Sequence, residues 1–414
     1  MTPRIRSALG FSLLLLAGVL NAPALAAQDS PDDAPADAAS SARTFRFRHA
    51  EGDILHADAL VRESVILNGV HTHDAEISES SLSRVLSVDA DGSALLRAEF
   101  RTDEWILGTP SYREWVSTET VELRRSPLGL LTVPESAGRP VLRDIPVFPE
   151  SPVSPGHTWT APAEEVHHFR IGGRLYGPYR GTFPVSYAYE GDMVSEGIRL
   201  ARIRIEYAMH IPVRRPGDPV RALSGRSAQI LLWDLEAGRP RSKTEEFEFL
   251  MVTSDGVSQE FIGTQEVDYR AMRPLDRDRI AGDLRDRLAS SGTVAVEAAE
   301  EGVRLILRDE AAGRILFAPE SARIAPDQRE LLDALARALG PYRERDILVT
   351  GHTADFGTAE GRRRLSTERA AAVAEALFPD GRPGPGKLYI RGAGAREPVG
   401  SDAENRRVEI LILD

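Results

Sequence analysis

Between Arg43 and Arg270 apolar residues recur at every second position, and this period limits the possible folds more sharply than any other feature of the chain. Ile203, Ile205, Tyr207, Met209 and Ile211 alternate with Arg204, Glu206, Ala208 and His210, and the pairs Phe45/Phe47 and Phe247/Phe249 repeat the spacing. Successive side chains of a strand point to opposite faces, so each run has one apolar and one polar face. Asp91-Gly92, Glu190-Gly191-Asp192, Pro216-Gly217-Asp218 and Asp255-Gly256 lie between such runs as turn signals. Residues 43–270 are therefore expected to form a large antiparallel β region. It is either one sheet or two subdomains, with a break near 146–162, where the chain is rich in proline.

The rest of the composition narrows the function. Cysteine is absent from all 414 residues. That excludes disulfides, thiolate metal sites, a thiol nucleophile and a lipid anchor on an N-terminal cysteine. The net charge of -12 argues against a nucleic-acid partner. Arg4 and Arg6 precede the apolar run Ala8–Leu20, and Ala24-Leu25-Ala26 has the small residues that signal peptidase cuts after. Residues 1–26 thus read as a cleaved signal peptide, with an uncleaved anchor as the alternative. Residues 27–42, rich in aspartate, alanine and proline, read as a disordered tether. Residues 271–292 carry Ile280, Leu284 and Leu288 at a spacing of four, as in a helical linker.

From residue 293 to 414 strands alternate with helices. Val303–Leu307, Arg314–Phe317, Ile347–Thr350, Lys387–Arg391 and Arg407–Leu413 read as strands. Pro326–Leu339 and Thr358–Leu377 read as helices, opened by Pro326 and capped by Thr358. The overall expectation is an α+β chain: the large antiparallel region, then a mixed sheet with two main helices.

This C-terminal part carries Phe317-Ala318-Pro319-Glu320-Ser321-Ala322, Gly351-His352-Thr353, Gly357, Leu365-Ser366 with Arg369-Ala370, Gly392 and Gly394, Pro398, and Asn405-Arg406-Arg407-Val408-Glu409. In order and spacing these blocks resemble the OmpA-like peptidoglycan-associating domain. The resemblance implies noncovalent binding to cell-wall stem peptides, with an aspartate and an arginine clasping the zwitterionic end of diaminopimelate. The arginine corresponds to Arg369, whose planar fork matches a carboxylate. The place of the aspartate is held by Ala354, and the nearest acid is Asp355. Either Asp355 fills the role, or the pocket suits another diamino acid such as ornithine, or wall binding has been lost. Thr353, Arg362, Asn405 and Arg406 complete the implied ligand-binding set. Independently of family, Arg369 falls inside the apolar stripe of its helix with Leu365, Ala372 and Ala376, so it must meet a ligand or an internal carboxylate such as Asp355 or Glu409.

Other candidates read as structural. His71 and His73 share a strand face but no third metal ligand is spaced to join them. His167 and His168 point to opposite faces, and Trp105, Trp115, Trp159 and Trp233 are expected as core anchors. Gly381–Gly386 is a turn, not a phosphate loop, and no serine sits in a nucleophile elbow. The expectation is thus a noncatalytic envelope protein without cofactor or metal. It would be held in the periplasm at the wall or outer membrane as other than a lipoprotein, with peptidoglycan as partner and with outer-membrane or periplasmic proteins bound through the β region. One alternative is an integral outer-membrane protein with 43–270 as a small barrel; another is a β-rich envelope hydrolase.

Overall fold

The computed structural model describes residues 42–106, 118–171, 174–272, 274–289, 294–299, 301–308, 310–311, 314–318, 320–342, 344–378 and 388–413. The expected leader, nearly all of the tether, Trp115 and the turn at 381–386 lie outside these residues. The chain forms two compact units, one running to Met272 and the other from Arg273.

The first unit is one sheet of twelve strands: β1 (Ile54–Leu67), β2 (Val70–Val88), β3 (Ala94–Ile106), β4 (Thr118–Arg125), β5 (Leu131–Thr132), β6 (Leu142–Arg143), β7 (Thr158–Ile171), β8 (Arg174–Ser195), β9 (Ile198–Pro212), β10 (Val220–Asp234), β11 (Arg239–Thr253) and β12 (Ser258–Met272). Neighbours are antiparallel, and β1 pairs with β12 over its full length. The sheet's two ends are therefore the short strands β5 and β6. Residues between and beside them bring those ends together. The Leu131 amide donates to Asp144 Oδ1 at 2.6 Å, Phe148 N to the Leu128 carbonyl at 2.8 Å, and Phe47 N to the Pro127 carbonyl at 2.8 Å. The result is a nearly closed barrel. The proline-rich stretch 146–162, expected as a break if there were two subdomains, instead connects β6 to β7 within the single sheet.

Alternation sets which face is inside. Ile203, Ile205, Tyr207, Met209 and Ile211 of β9 are buried, while Arg202, Glu206 and His210 are exposed. Phe47 and Phe148 meet the Trp233 ring edge-on at 4.8 and 4.6 Å, filling the interior with aromatics. Each such side chain contributes about 1.5–3 kcal/mol by leaving water. The outer face carries ion pairs: Arg202 and Arg204 reach Glu190 at 2.8 and 3.0 Å, and Arg97 reaches Glu122 at 2.8 Å.

Two hairpins turn on residues with left-handed backbone, Asn68-Gly69 (φ 50° and 78°) and Glu196-Gly197 (φ 50° and 77°). Positive φ at both central positions matches the right-handed twist of the flanking strands. Glu190-Gly191-Asp192, expected as a turn, lies within β8. There the register shifts between Tyr189 and Gly191, so the glycine marks a bulge.

The second unit contains α1 (Arg277–Leu288), β13 (Val294–Ala299), β14 (Gly302–Arg308), the small hairpin β15 (Glu310–Ala311) and β16 (Arg314–Ile315), α2 (Arg329–Leu339), β17 (Ile347–His352), α3 (Ala359–Leu377), β18 (Leu388–Gly394), the single turn α4 (Asp402–Asn405) and β19 (Arg407–Leu413). The main sheet runs β13-β14-β19-β17-β18, parallel only between β17 and β18, which α3 connects. A mixed sheet with helices on it is what the sequence led us to expect. Helix α1 is more than a linker, because Ile280, Ala281, Leu284 and Leu288 share one core with Val303, Leu335 and Ile410. The expected strand Arg314–Phe317 is cut to two residues, and Leu316 and Phe317 are buried beyond its end.

Candidate functional site

The site implied around Arg369 is built by α3 seated on β17 and β18. Contact there is backbone to backbone. A Cβ on Gly351 would lie 2.0 Å from the Ser366 carbonyl oxygen, and one on Gly392 would lie 2.1 Å from Thr367 Oγ1 and 2.7 Å from the Arg363 carbonyl oxygen. The Gly394 amide donates to Ser366 Oγ at 2.9 Å, and that hydroxyl donates to the Arg363 carbonyl at 2.8 Å. The glycines and serine of the motif therefore fix the height and rotation of the helix. The N-terminus of α3 is capped by Thr358, whose Oγ1 accepts from Gly361 N at 3.1 Å.

The buried face of α3 is Ser366, Arg369, Ala370, Ala371, Val373, Ala374 and Leu377, whereas Leu365, Ala372 and Ala376 are only half-buried. Its centre is rotated by about 120° from Leu365 at about 100° per residue, which leaves Arg369 toward its edge. Arg369 is 5% exposed. Its guanidinium lies 4.7 Å over the Phe317 ring and its Nε donates to the Ser321 carbonyl at 3.1 Å. Both partners come from the loop after β16.

Neither carboxylate expected beside Arg369 pairs with it. Asp355 is exposed and its Oδ1 lies 2.9 Å from Arg362 Nη1, which also donates to the Gly357 carbonyl at 2.6 Å. Glu409 belongs to another cluster. Its Oε1 accepts from Arg407 Nε at 2.7 Å and lies 3.5 Å from His352 Nε2, and its Oε2 lies 3.4 Å from Arg304 Nε. His352 is buried there, and that burial, reinforced by Arg407, Arg391 and Arg304, lowers its pKa to about 3. In the sequence His352 stands out only as the middle of Gly351-His352-Thr353. The period of two puts Arg407 and Glu409 on one face of β19, and the pairing of β17 with β19 brings His352 to that face.

The remaining predicted residues divide. Thr353 lies at the end of β17; its amide donates to the Gly394 carbonyl at 2.9 Å, while its Oγ1, in a residue 7% exposed, has no hydrogen-bond partner. Asn405 holds a loop: its Oδ1 accepts from the Val399 and Gly400 amides at 2.8 and 3.3 Å, and its Nδ2 donates to the Gly400 carbonyl at 3.1 Å. Arg406 is half-buried at the end of α4, and it is the next arginine, Arg407, that enters the Glu409 cluster. Phe356, beside Asp355, is 84% exposed.

Residues 316–409 match the OmpA family model. The outer-membrane lipoprotein YfiB of Pseudomonas aeruginosa is 32% identical over 117 residues, which is 26% of this chain and 69% of that protein. The chain belongs to the OmpA family. Outer membrane protein A of Bordetella avium is 33% identical over 100 residues, 23% of this chain and 51% of that one. The probable lipoprotein YiaD of Escherichia coli is 30% identical over 135 residues, 31% of this chain and 59% of that one. The chain thus spans about half to two thirds of these relatives. Among solved structures, the peptidoglycan-associated lipoprotein of Burkholderia pseudomallei is 28% identical, covers 23% of this chain and 83% of its own, and has a TM-score of 0.20. The family match lies within the second unit.

In the first unit, His71 Nε2 lies 2.9 Å from Asp74 and His73 Nδ1 lies 3.1 Å from Thr72 Oγ1. Among the described residues no group of three metal-ligating side chains occurs. Trp233 is buried in the core and Trp159 stacks on Tyr187 at 5.1 Å; the side chain of Trp105 lies outside the described residues. His167 is buried, its Nε2 2.6 Å from Glu165 Oε2, and Tyr207 donates to Glu165 Oε1 at 3.2 Å.

Proposed function

We propose that the OmpA domain docks noncovalently on peptidoglycan stem peptides, with Arg369 receiving a carboxylate of the diamino acid. On this reading the protein is a noncatalytic component of the cell envelope. Its β unit is a periplasmic scaffold or binding module for outer-membrane or periplasmic proteins. The observation that carries the proposal is the setting of Arg369. Its stem is buried in the helix face while its guanidinium is held flat by an aromatic ring and a carbonyl, as a preorganised bidentate partner for a carboxylate requires. The unpartnered Thr353 hydroxyl on the adjoining strand offers a further polar contact. Asp355 supplies the anion for the ligand's ammonium by leaving Arg362, an exchange of one exposed ion pair for another that costs little.

A membrane barrel is the weaker reading of the β unit. Lipid-facing positions of such barrels are apolar and the lumen is polar. Here the interior carries a large aromatic and aliphatic cluster beside buried polar groups such as Glu165, Gln229 and Glu245, and the outside carries the Arg202–Glu190–Arg204 and Arg97–Glu122 pairs. Release of the protein from cells by osmotic shock without detergent is the expected outcome.

Co-sedimentation of the full chain with purified sacculi tests the docking site. Wild type is expected to pellet, Arg369→Ala to remain in the supernatant, and Asp355→Ala to pellet less. Equal pelleting of wild type and Arg369→Ala would remove Arg369 from the site.

A further inference from the structure

A cavity of about 250 Å³ lies within the curl of the twelve-stranded sheet. It is bounded by residues of β1 to β4 and β9 to β12 and by the closing segment Arg139–Pro146. Its apolar lining includes Phe47, Phe100, Leu142, Ile145, Ile205 and Leu231.

The charges of its polar lining do not balance. Among the described residues Arg101, Arg125, Arg139 and Lys243 line it with one carboxylate, Glu79. Three of the cations have an acid nearby: Lys243 Nζ donates to Glu245 at 2.6 Å, Arg139 lies 3.8 Å from Glu79, and Arg101 lies 3.3 Å from Glu99. Arg125 has no carboxylate partner among the described residues; its guanidinium lies 4.7 Å over the Phe47 ring. Burial lowers the Arg125 pKa, against a smaller opposing effect of Tyr269.

Two further groups on this wall lack partners. Gln229, 1% exposed, donates through Nε2 to Ser227 Oγ at 2.9 Å and to Glu245 at 3.2 Å, which leaves Oε1 without a hydrogen bond. Its orientation is fixed by chemistry, because Glu245 can only accept. Ser80, 4% exposed, has a hydroxyl with no partner. Buried polar groups are paired in the great majority of cases, so orphans lining a cavity mark where something else binds.

We propose that this cavity takes a single-chain amphiphile with an anionic head group, the head against Arg125, Lys243 and Ser80 and the chain between Phe47, Leu142, Ile205 and Leu231. The volume suits a short acyl chain. At about 30 Å³ per water, filling it with solvent would order roughly eight waters against a half-apolar wall. A cation without an acid needs an anion, and the surrounding low dielectric strengthens that contact.

Calorimetric titration of the full chain with decanoate, decyl phosphate and the uncharged isostere decanamide tests the site. Decanoate or decyl phosphate is expected to bind one to one, with decanamide weaker by about tenfold or more, the size of one charge-assisted hydrogen bond. The preferred anion separates a carboxylate from a phosphate ligand. Arg125→Gln is expected to bring the anions down to the decanamide level, and Arg202→Gln on the outer face to leave them unchanged. Decanamide binding as tightly as both anions, or no saturable binding of either anion, overturns the proposal without recourse to any variant.

Discussion

The guanidinium of Arg369 lies 4.7 Å above the ring of Phe317, joining the face of α3 to the loop that follows β16. The two residues are 52 positions apart, yet each is nearly enclosed. Phe317 does two things there: it fills core volume and it orients a charge. Phe317→Ala is expected to cost about 3–5 kcal/mol through the cavity left behind. Phe317→Leu should cost far less but should still weaken sacculus binding, because a leucine has no ring face for the cation. Chemical denaturation alongside co-sedimentation separates the two effects.

The glycines beneath α3 provide a sharper test of packing. Gly351→Ala and Gly392→Ala each push a Cβ toward the backbone of the helix. Overpacking of this kind costs about 1–3 kcal/mol, and more where backbone is struck. Gly282, inside α1, has open space around its Cβ position. Gly282→Ala is accordingly expected to stabilise by about 0.5–1 kcal/mol through helix propensity. Urea midpoints of the three variants should fall on opposite sides of the wild type.

These contacts also show why parts of the structure were legible in the sequence and others were not. The β region was readable because Ile203 to Ile211 alternate in residue type, and alternation alone assigns faces. Which strands become neighbours was not readable, since pairing β1 with β12 depends on atoms more than 170 residues apart. Arg369 was correctly placed within the helix's buried side, but counting from Leu365 missed the centre of that face. The rotation is set by Gly351, Gly392 and Ser366, where close approach rather than hydrophobicity decides. That Asn405 staples the loop at Val399 and Gly400 was not readable, because an amide that holds a loop and one that binds a peptide look alike in one dimension. Arg125 gave no signal, because a basic residue ending a strand usually faces water.

One buried and one half-buried histidine should make stability fall in acid. His352 in the OmpA domain and His49 in the β unit are held neutral chiefly by burial, with pKa values lowered to about 3 and about 4 from an ordinary 6.5. The unfolded chain therefore takes up protons below pH 6.5 that the folded chain refuses. A group that binds protons more readily when unfolded contributes stability that is lost as pH falls through that window. For His352 the loss is expected to approach about 2 kcal/mol between pH 6.5 and 5, at about 1.4 kcal/mol per pH unit. His352→Phe should flatten the difference between urea melts at these two pH values; an unchanged difference would show that His352 is protonated in the fold.

The buried group Glu165–His167–Tyr207 is expected to be all-or-none. Glu165 is fully buried and accepts from Tyr207 while meeting His167 at 2.6 Å. Glu165→Leu strands both partners and should cost about 3–5 kcal/mol, as removing one member of a buried polar pair does. Replacing His167 by leucine in the same chain should restore part of that loss, giving a coupling of about 0.5–3 kcal/mol in a double-mutant cycle.

If the OmpA domain clasps a zwitterion, its cationic half is in place at Arg369, while the nearest acid, Asp355, is tied to Arg362. An aspartate at position 354 would stand where the family resemblance puts it, one residue after Thr353 on the chain leaving β17. Ala354 is half-buried, so a carboxylate there would be partly shielded from water and its attraction for an ammonium strengthened accordingly. Ala354→Asp should then raise affinity for sacculi by about tenfold, the equivalent of one good charge-assisted hydrogen bond. The gain should vanish when Arg369→Ala is added, because an ammonium contact alone does not fix the peptide. It should also make Asp355 dispensable: Ala354→Asp with Asp355→Ala is expected to bind as well as Ala354→Asp alone. A drop in binding for Ala354→Asp would mean instead that the native loop is shaped for a ligand whose ammonium approaches from the side of Asp355.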